Sequence, residues 1–139
     1  MTEEEFHIQV AALFNIILDD KVMYQTVENS NQIGMFSGYP NEPDWRRKAR
    51  AWIKNIAFGL QKKLKAKGVK KGFPDIILFY KSKAFCIELK SKTGTLSVEQ
   101  KIMHFELDKV GVPTIVAKDI PTILKALERW EIPHKKVIV

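Results

Sequence analysis

Two closely spaced runs, Asp75 to Tyr80 and Ala84 to Leu89, limit what this chain can fold into more than any other feature of it. Both are short, rich in β-branched and aromatic residues, and separated by Lys-Ser-Lys, so they read as the strands of a β-hairpin. Both are apolar on both faces. A strand of that kind belongs at the centre of a sheet that is covered on each side. The rest of the chain must therefore supply covers.

Four amphipathic segments fit that need. Residues 3 to 18 repeat Phe6, Val10, Leu13, Phe14, Ile17 and Leu18 at helical spacing, with Thr2 and Glu5 placed as a capping box. A second helix is expected from Pro43 at its first position, along a stripe of Trp45, Ala49, Trp52, Ile53, Ile56, Leu60 and Leu64, to a stop near Gly68. Ser97 and Gln100 form a second capping-box pair, opening a helix to Val110 with Gly111 at its end and Pro113 beyond. A last helix runs from about Pro121 to Trp130. Val22 to Val27 and Thr114 to Ala117 read as further short strands, and Asn29 to Pro40 as a long loop. The tail from Ile132 to Val139 is an edge strand or loose. The order implies an α/β (α+β) fold, a mixed sheet flanked by helices, in one domain spanning 1–139.

The composition, 45% apolar and 28% charged, is that of a globular protein and excludes disordered and collagen-like classes. No apolar run is long enough to span a bilayer, so no membrane is expected. A single cysteine, Cys86, excludes an internal disulfide and fits a reducing compartment; the acidic start, Met1 to Glu5, is unlike a secretory signal. The net charge of +7 points to polyanions. Its distribution is sharper still: Arg46 to Lys71 holds eleven cations and no acid. Solvated helix faces usually interleave both signs, so this stretch, with Arg46, Arg47, Arg50, Lys67, Lys70 and Lys71, reads as a phosphate-contacting surface, to which Lys92 is added.

Ionisable groups inside apolar strands are the second constraint. Asp75 heads the first run, Glu88 lies in the next, and Lys90 follows directly on it. Carboxylates are seldom buried without a partner or a metal. If Lys81 pairs with Ala84, Asp75 stands opposite Lys90 and diagonal to Glu88, and all three share a face. If Tyr80 pairs with Ala84, Asp75 points away. The first register suits metal-assisted phosphodiester hydrolysis, with Mg2+ or Mn2+ between two carboxylates and Lys90 stabilising charge on the phosphate or positioning the attacking water. A plain Asp75–Lys90 salt bridge is the alternative.

Pro74-Asp75, then Glu88-Leu89-Lys90, resembles the PD-(D/E)XK nuclease pattern. The stretch from Lys67 to Asp75, with Gly68 and Gly72, and the block from Glu88 through Gly94, Leu96 and Ser97 to Gln100, are similar to the VRR-NUC family of that superfamily. The resemblance implies a restriction-endonuclease-like core and a Mg2+- or Mn2+-dependent endonuclease. It implies Asp75, Glu88 and the Leu89 carbonyl as metal ligands, Lys90 as the catalytic lysine and Gln100 as an active-site residue, unless Gln100 merely caps Ser97. Glu5 matches a family glutamate on the first helix that reaches the metal, though it is equally placed to cap Thr2. Small members are linked to branched-DNA cleavage, so a Holliday junction, a homodimer and the cytoplasm of a bacterial or phage-infected cell are expected. A nicking or flap endonuclease, or a non-catalytic DNA-binding module, are the competitors. His7, His104 and His134 lack metal-ligand spacing and read as structural; Cys86, Trp45 and Trp52 read as core. Lys135 and Lys136 are possible further phosphate contacts.

Overall fold

The computed structural model describes residues 1–27 and 38–137. The chain groups into two compact units, Met1–Val27 with Gly72–Val139, and Glu28–Lys71.

In the first unit, helix α1 (Glu3–Ile17) starts at the expected capping box: the Glu5 amide donates to Thr2 Oγ1, and the Thr2 amide donates to Glu5 Oε2. Three acids in its first turn complement the positive end of the helix dipole. Phe6, Val10, Phe14 and Ile17 fall on one stripe and are buried. Strand β1 (Met23–Thr26) follows, and the chain returns to this unit at Gly72 to form β2 (Ile76–Tyr80) and β3 (Lys83–Leu89). Helix α3 (Val98–Lys109) then leads to β4 (Thr114–Ala117), and helix α4 (Ile120–Arg129) is capped by Asp119. The label α2 is kept for the helix of the second unit, described below.

The sheet has four strands in the order β1-β2-β3-β4. The first three are successively antiparallel, while β4 joins β3 in parallel after the α3 crossover. The expected mixed sheet is present, with the two apolar strands at its centre. Ile76, Leu78, Phe85, Ile87 and Leu89 form one face of the central pair and belong to a core with the α1 stripe, Ile123, Leu127 and Ile132. The opposite face carries Ile77, Cys86 and Glu88, because neighbours along a strand alternate. Helix α1 packs on β3, and α3 and α4 on β4.

The hairpin register differs from both that were expected. Tyr80 pairs with Lys83, leaving a two-residue turn of Lys81 and Ser82, with φ of 48° and 62°. Two positive φ values in a two-residue loop give the turn whose twist matches that of the flanking strands. The residues that usually announce it are Asn and Gly, so Lys-Ser concealed it. The described part of the tail, to Val137, adds no strand to the sheet. His134 bridges to Leu18, and the Lys135 amide donates to the Ile17 carbonyl at 2.7 Å, tying the tail to the end of α1.

In the second unit, α2 (Asp44–Ala66) has Pro43 at its N-cap, one position before the place expected for it. Ala57 is its one buried residue. Trp45 and Trp52, expected in a core, are 71% and 66% exposed. Among the described residues of this unit α2 is the one helix or strand, so its long stripe has no second element there to pack on, and periodicity found the helix without fixing its buried face. Of the long loop expected from Asn29 to Pro40, residues 29–37 lie outside the described residues.

Candidate active site

Continued one residue back, the hairpin register sets Asp75 opposite Glu88, on the face away from the main core. Asp75 Oδ2 accepts the Leu89 amide at 2.8 Å, which ties the carboxylate to the end of β3. The approach to Asp75 is also fixed. Gly72 has φ of +83°, and a Cβ there would lie 2.4 Å from the Glu99 carbonyl oxygen, in the first turn of α3. Gly72→Ala is therefore expected to destabilise the protein by at least ~1–2 kcal/mol from the backbone alone, read as a lower urea midpoint, and to loosen the start of α3.

Glu88 is 0% exposed. Gln100 Nε2 donates to its Oε1, while its Oε2 is buried without a hydrogen-bond partner among the described residues. Burial, then the adjacent Asp75 carboxylate, push the Glu88 carboxyl up to about 8, with Lys90 pulling the other way. Two carboxyl groups this close on a buried face repel one another when both are charged, and a positive charge between them would relieve that repulsion. Gln100 makes two contacts at once. Its Oε1 accepts the Ser97 amide at 2.9 Å to complete the α3 capping box, and its amide group reaches Glu88.

Lys90 is 8% exposed, with Nζ 3.9 Å from Glu88 Oε1 and 3.9 Å from Glu3 Oε1. The alternative, a plain Asp75–Lys90 salt bridge, is absent among the described residues. Glu5 is not brought to the cluster, since its carboxylate closes the α1 cap; Glu3 is the α1 acid that approaches Lys90. The residue that sequence reasoning passed over is His104, whose buried Nε2 is unpartnered and which feels the charges of Lys90 and Asp75. Its place four residues after Gln100 was the available signal. His7 meets Thr26 Oγ1 at 3.3 Å and His134 the Ile132 carbonyl at 2.7 Å, as structural histidines do. Cys86 is buried beside this face, and burial pushes its thiol up to about 11, so it stays protonated.

The donor set fits a hard divalent cation. Asp75 and Glu88 offer carboxylate oxygens from one face, and Glu88 Oε2 makes no hydrogen bond among the described residues. The described residues contain no group of three or more His, Cys, Asp or Glu placed to hold a metal. Mg2+ needs no more than one or two carboxylates, because water and substrate phosphate complete its shell.

The basic stretch is not acid-free in space. Just upstream, Glu42 Oε1 and Oε2 accept from Arg46 at 3.0 Å and Arg50 at 2.8 Å. Arg50, more than Arg46, holds the Glu42 carboxyl below its usual range. Asp44 takes Arg47 and Lys48. Four of the expected unpaired cations thus have partners on the preceding turn, which a count beginning at Arg46 could not register. Lys67, Lys70, Lys71 and Lys92 are exposed and make no ion pair among the described residues.

The VRR-NUC domain matches residues 20–118, most of the chain and all of the span from β1 to β4. The chain belongs to the VRR-NUC family. This is a nuclease-type family, and the VRR-NUC match includes Asp75, Glu88, Lys90, Gln100 and His104. A solved structure of a VRR_NUC domain protein is similar over 94% of this chain and 88% of its own, at TM-score 0.50 and 19% identity, which shows a shared fold. No curated protein matches the chain. No helix among the described residues is long and apolar enough to cross a membrane.

Proposed function

We propose that this VRR-NUC protein is a Mg2+- or Mn2+-dependent DNA endonuclease, selective for branched DNA such as a Holliday junction. The observation that carries the reading is the buried Glu88, with one oxygen unpartnered, set beside Asp75 and Lys90 on one sheet face. In that reading Asp75, Glu88 and the Leu89 carbonyl hold the cation, which when bound polarises the phosphoryl oxygen and eases deprotonation of water. Gln100 fixes Glu88 by donating to Oε1, so that Oε2 is left for the cation. The Leu89 amide fixes Asp75 in the same way. Lys90 sets a positive charge where charge develops on the phosphate, or holds the attacking water. Glu5 enters the site only by giving up its cap, so Glu3 is the better candidate for an outer acid. A two-fold junction suits a homodimer.

The test is incubation with linear duplex, single strand, flap, fork and four-way junction, each with Mg2+, Mn2+ or EDTA. Metal-dependent, symmetric incision of the junction is expected. Binding without cleavage under every metal would sink the enzymatic reading and leave a DNA-binding module; incision confined to flaps or nicks would sink the junction preference.

DNA affinity should divide the cations. Changing Lys67, Lys70 and Lys71 together to Ala is expected to lower the slope of log K against log salt by about 3, at ~0.9 per phosphate contact. Changing Arg46 and Arg50 together should move it by less than about 1, because Glu42 already neutralises part of their charge. Equal slopes for the two variants would show that the Glu42 pairing does not matter to binding.

A further inference from the structure

Glu88 Oε2 and His104 Nε2 are the two buried side-chain polar atoms without a hydrogen-bond partner among the described residues. A cation accounts for the first. Nothing in the proposed chemistry uses the second. An unmade hydrogen bond at a buried nitrogen is costly, and buried polar groups in folded proteins nearly always have a partner, protein or water.

Geometry narrows that partner. His104 stands one helical turn after Gln100, on the α3 face that meets Glu88. Its surroundings include Lys90 and Asp75; burial and then the Lys90 charge lower its proton affinity, which keeps the imidazole neutral, with one N–H and one lone pair. Lys90 has the opposite deficiency. Its ammonium carries three N–H donors, yet the nearest carboxylate oxygens, on Glu3 and Glu88, are both at 3.9 Å, beyond hydrogen-bond range. Among the described residues the site thus pairs a donor lacking an acceptor with a nitrogen lacking a partner, and the charge of Lys90 acts on His104. A cation on Glu88 would weaken that carboxylate's pull on the lysine, which then needs a neutral anchor.

We propose that His104 is a positioning residue that holds Lys90: its Nε2 lone pair accepts from one buried water to which the Lys90 ammonium in turn donates, and this bridge keeps Nζ aimed across the Asp75–Glu88 pair. The role in cleavage rests on the nuclease reading; the contact itself does not. Glutamine at this position keeps an acceptor, and phenylalanine keeps a ring without one.

The contact is tested on metal-free, 15N-labelled protein at fixed pH. The His104 ring is expected to carry its proton on Nδ1, leaving Nε2 bare, and the Lys90 ammonium resonance to be protected from solvent exchange. His104→Phe should lose that protection and His104→Gln should restore it. In cleavage of a DNA junction, His104→Phe should lower kcat about 10- to 100-fold, the usual effect of an outer-shell partner, with KM unchanged, and His104→Gln should recover most of it. A proton on Nε2, or a Lys90 resonance indifferent to both variants, overturns the proposal. If His104→Phe fails to fold, the wild-type ring tautomer decides alone. Wild-type protein that cleaves nothing overturns the nuclease reading and leaves the resonance test standing, so the two failures are distinguishable.

Discussion

Lys90→Ala should lower kcat for Mg2+-dependent cleavage about 100- to 1,000-fold, the effect of removing one preorganised group that stabilises transition-state charge. Lys90 is nearly buried beside Glu88, where its ammonium is shielded from water far better than a surface lysine. Its loss should leave KM for DNA nearly unchanged if, as proposed, the exposed lysines of the Lys67 to Lys71 stretch and Lys92 make the phosphate contacts. Mn2+ affinity should stay the same or rise, since a repelling charge has gone. Lys90→Arg should not rescue: a planar guanidinium is no substitute for a compact ammonium in so closed a position. Single-turnover rates with Mn2+ titrations on the same samples separate these effects. A variant that keeps its rate would remove Lys90 from the chemistry.

Glu88→Gln should abolish metal-dependent cleavage, and it should make the metal-free protein more stable at alkaline pH by about 1–3 kcal/mol, as when a buried ionic group gives way to a neutral isostere. The sign follows from linkage. Burial and Asp75 raise the Glu88 carboxyl from 4.5 to about 8 in the folded protein, so the fold favours its protonated form. That stability is fully present below the unfolded value and is lost as pH rises through about 8. Metal-free wild type should therefore melt progressively lower between pH 5 and pH 9, roughly the window between the two pKa values. A glutamine keeps its oxygen for Gln100 and presents an amide to Asp75 where the acid presented a second negative charge. Its melting curve should be flatter over the same range. Divalent cation should restore the wild type at pH 9 and not the variant. Parallel pH profiles for the two proteins, measured in EDTA, would remove Glu88 as the source of the effect.

Much of this was legible in the residues. The central strands announced themselves because Ile-Ile-Leu-Phe and Phe-Cys-Ile have no polar face to turn to water. The starts of α1 and α3 were visible because a Thr or Ser followed three residues later by Glu or Gln satisfies two orphan amides locally, without help from tertiary structure. The hairpin register was not legible. A shift of pairing by one residue turns a strand over, and the deciding turn is built from Lys81 and Ser82, which have no intrinsic preference for positive φ. The shared face of Asp75 and Glu88 survived because the observed register differs from the favoured one by an even step. The burial of α2 was misjudged because a 3.6-residue stripe says which residues lie together and nothing about whether anything covers them. His104 was passed over because one histidine without a ligand-spaced neighbour is usually structural; its relation to Gln100 acquires meaning only when Gln100 is seen to reach Glu88.

Gln100 joins two things that are commonly separate. One end of its side chain closes a helix cap and the other grips the buried acid. The fraying of α3 and the charge on Glu88 are thus not independent degrees of freedom. Whatever neutralises Glu88, proton or cation, changes the strength of the amide's grip and with it the weight of states in which the first turn of α3 is open. The same loop of cause runs backwards, because coupling between two equilibria is reciprocal. Gly72 seats its backbone against Glu99, one residue from Gln100, so the approach to Asp75 is held to the same turn. Both acids therefore report to a single helix end, and on the proposed reading a cation held between them would also draw taut the segment from Gly72 to Asp75 and the first turn of α3.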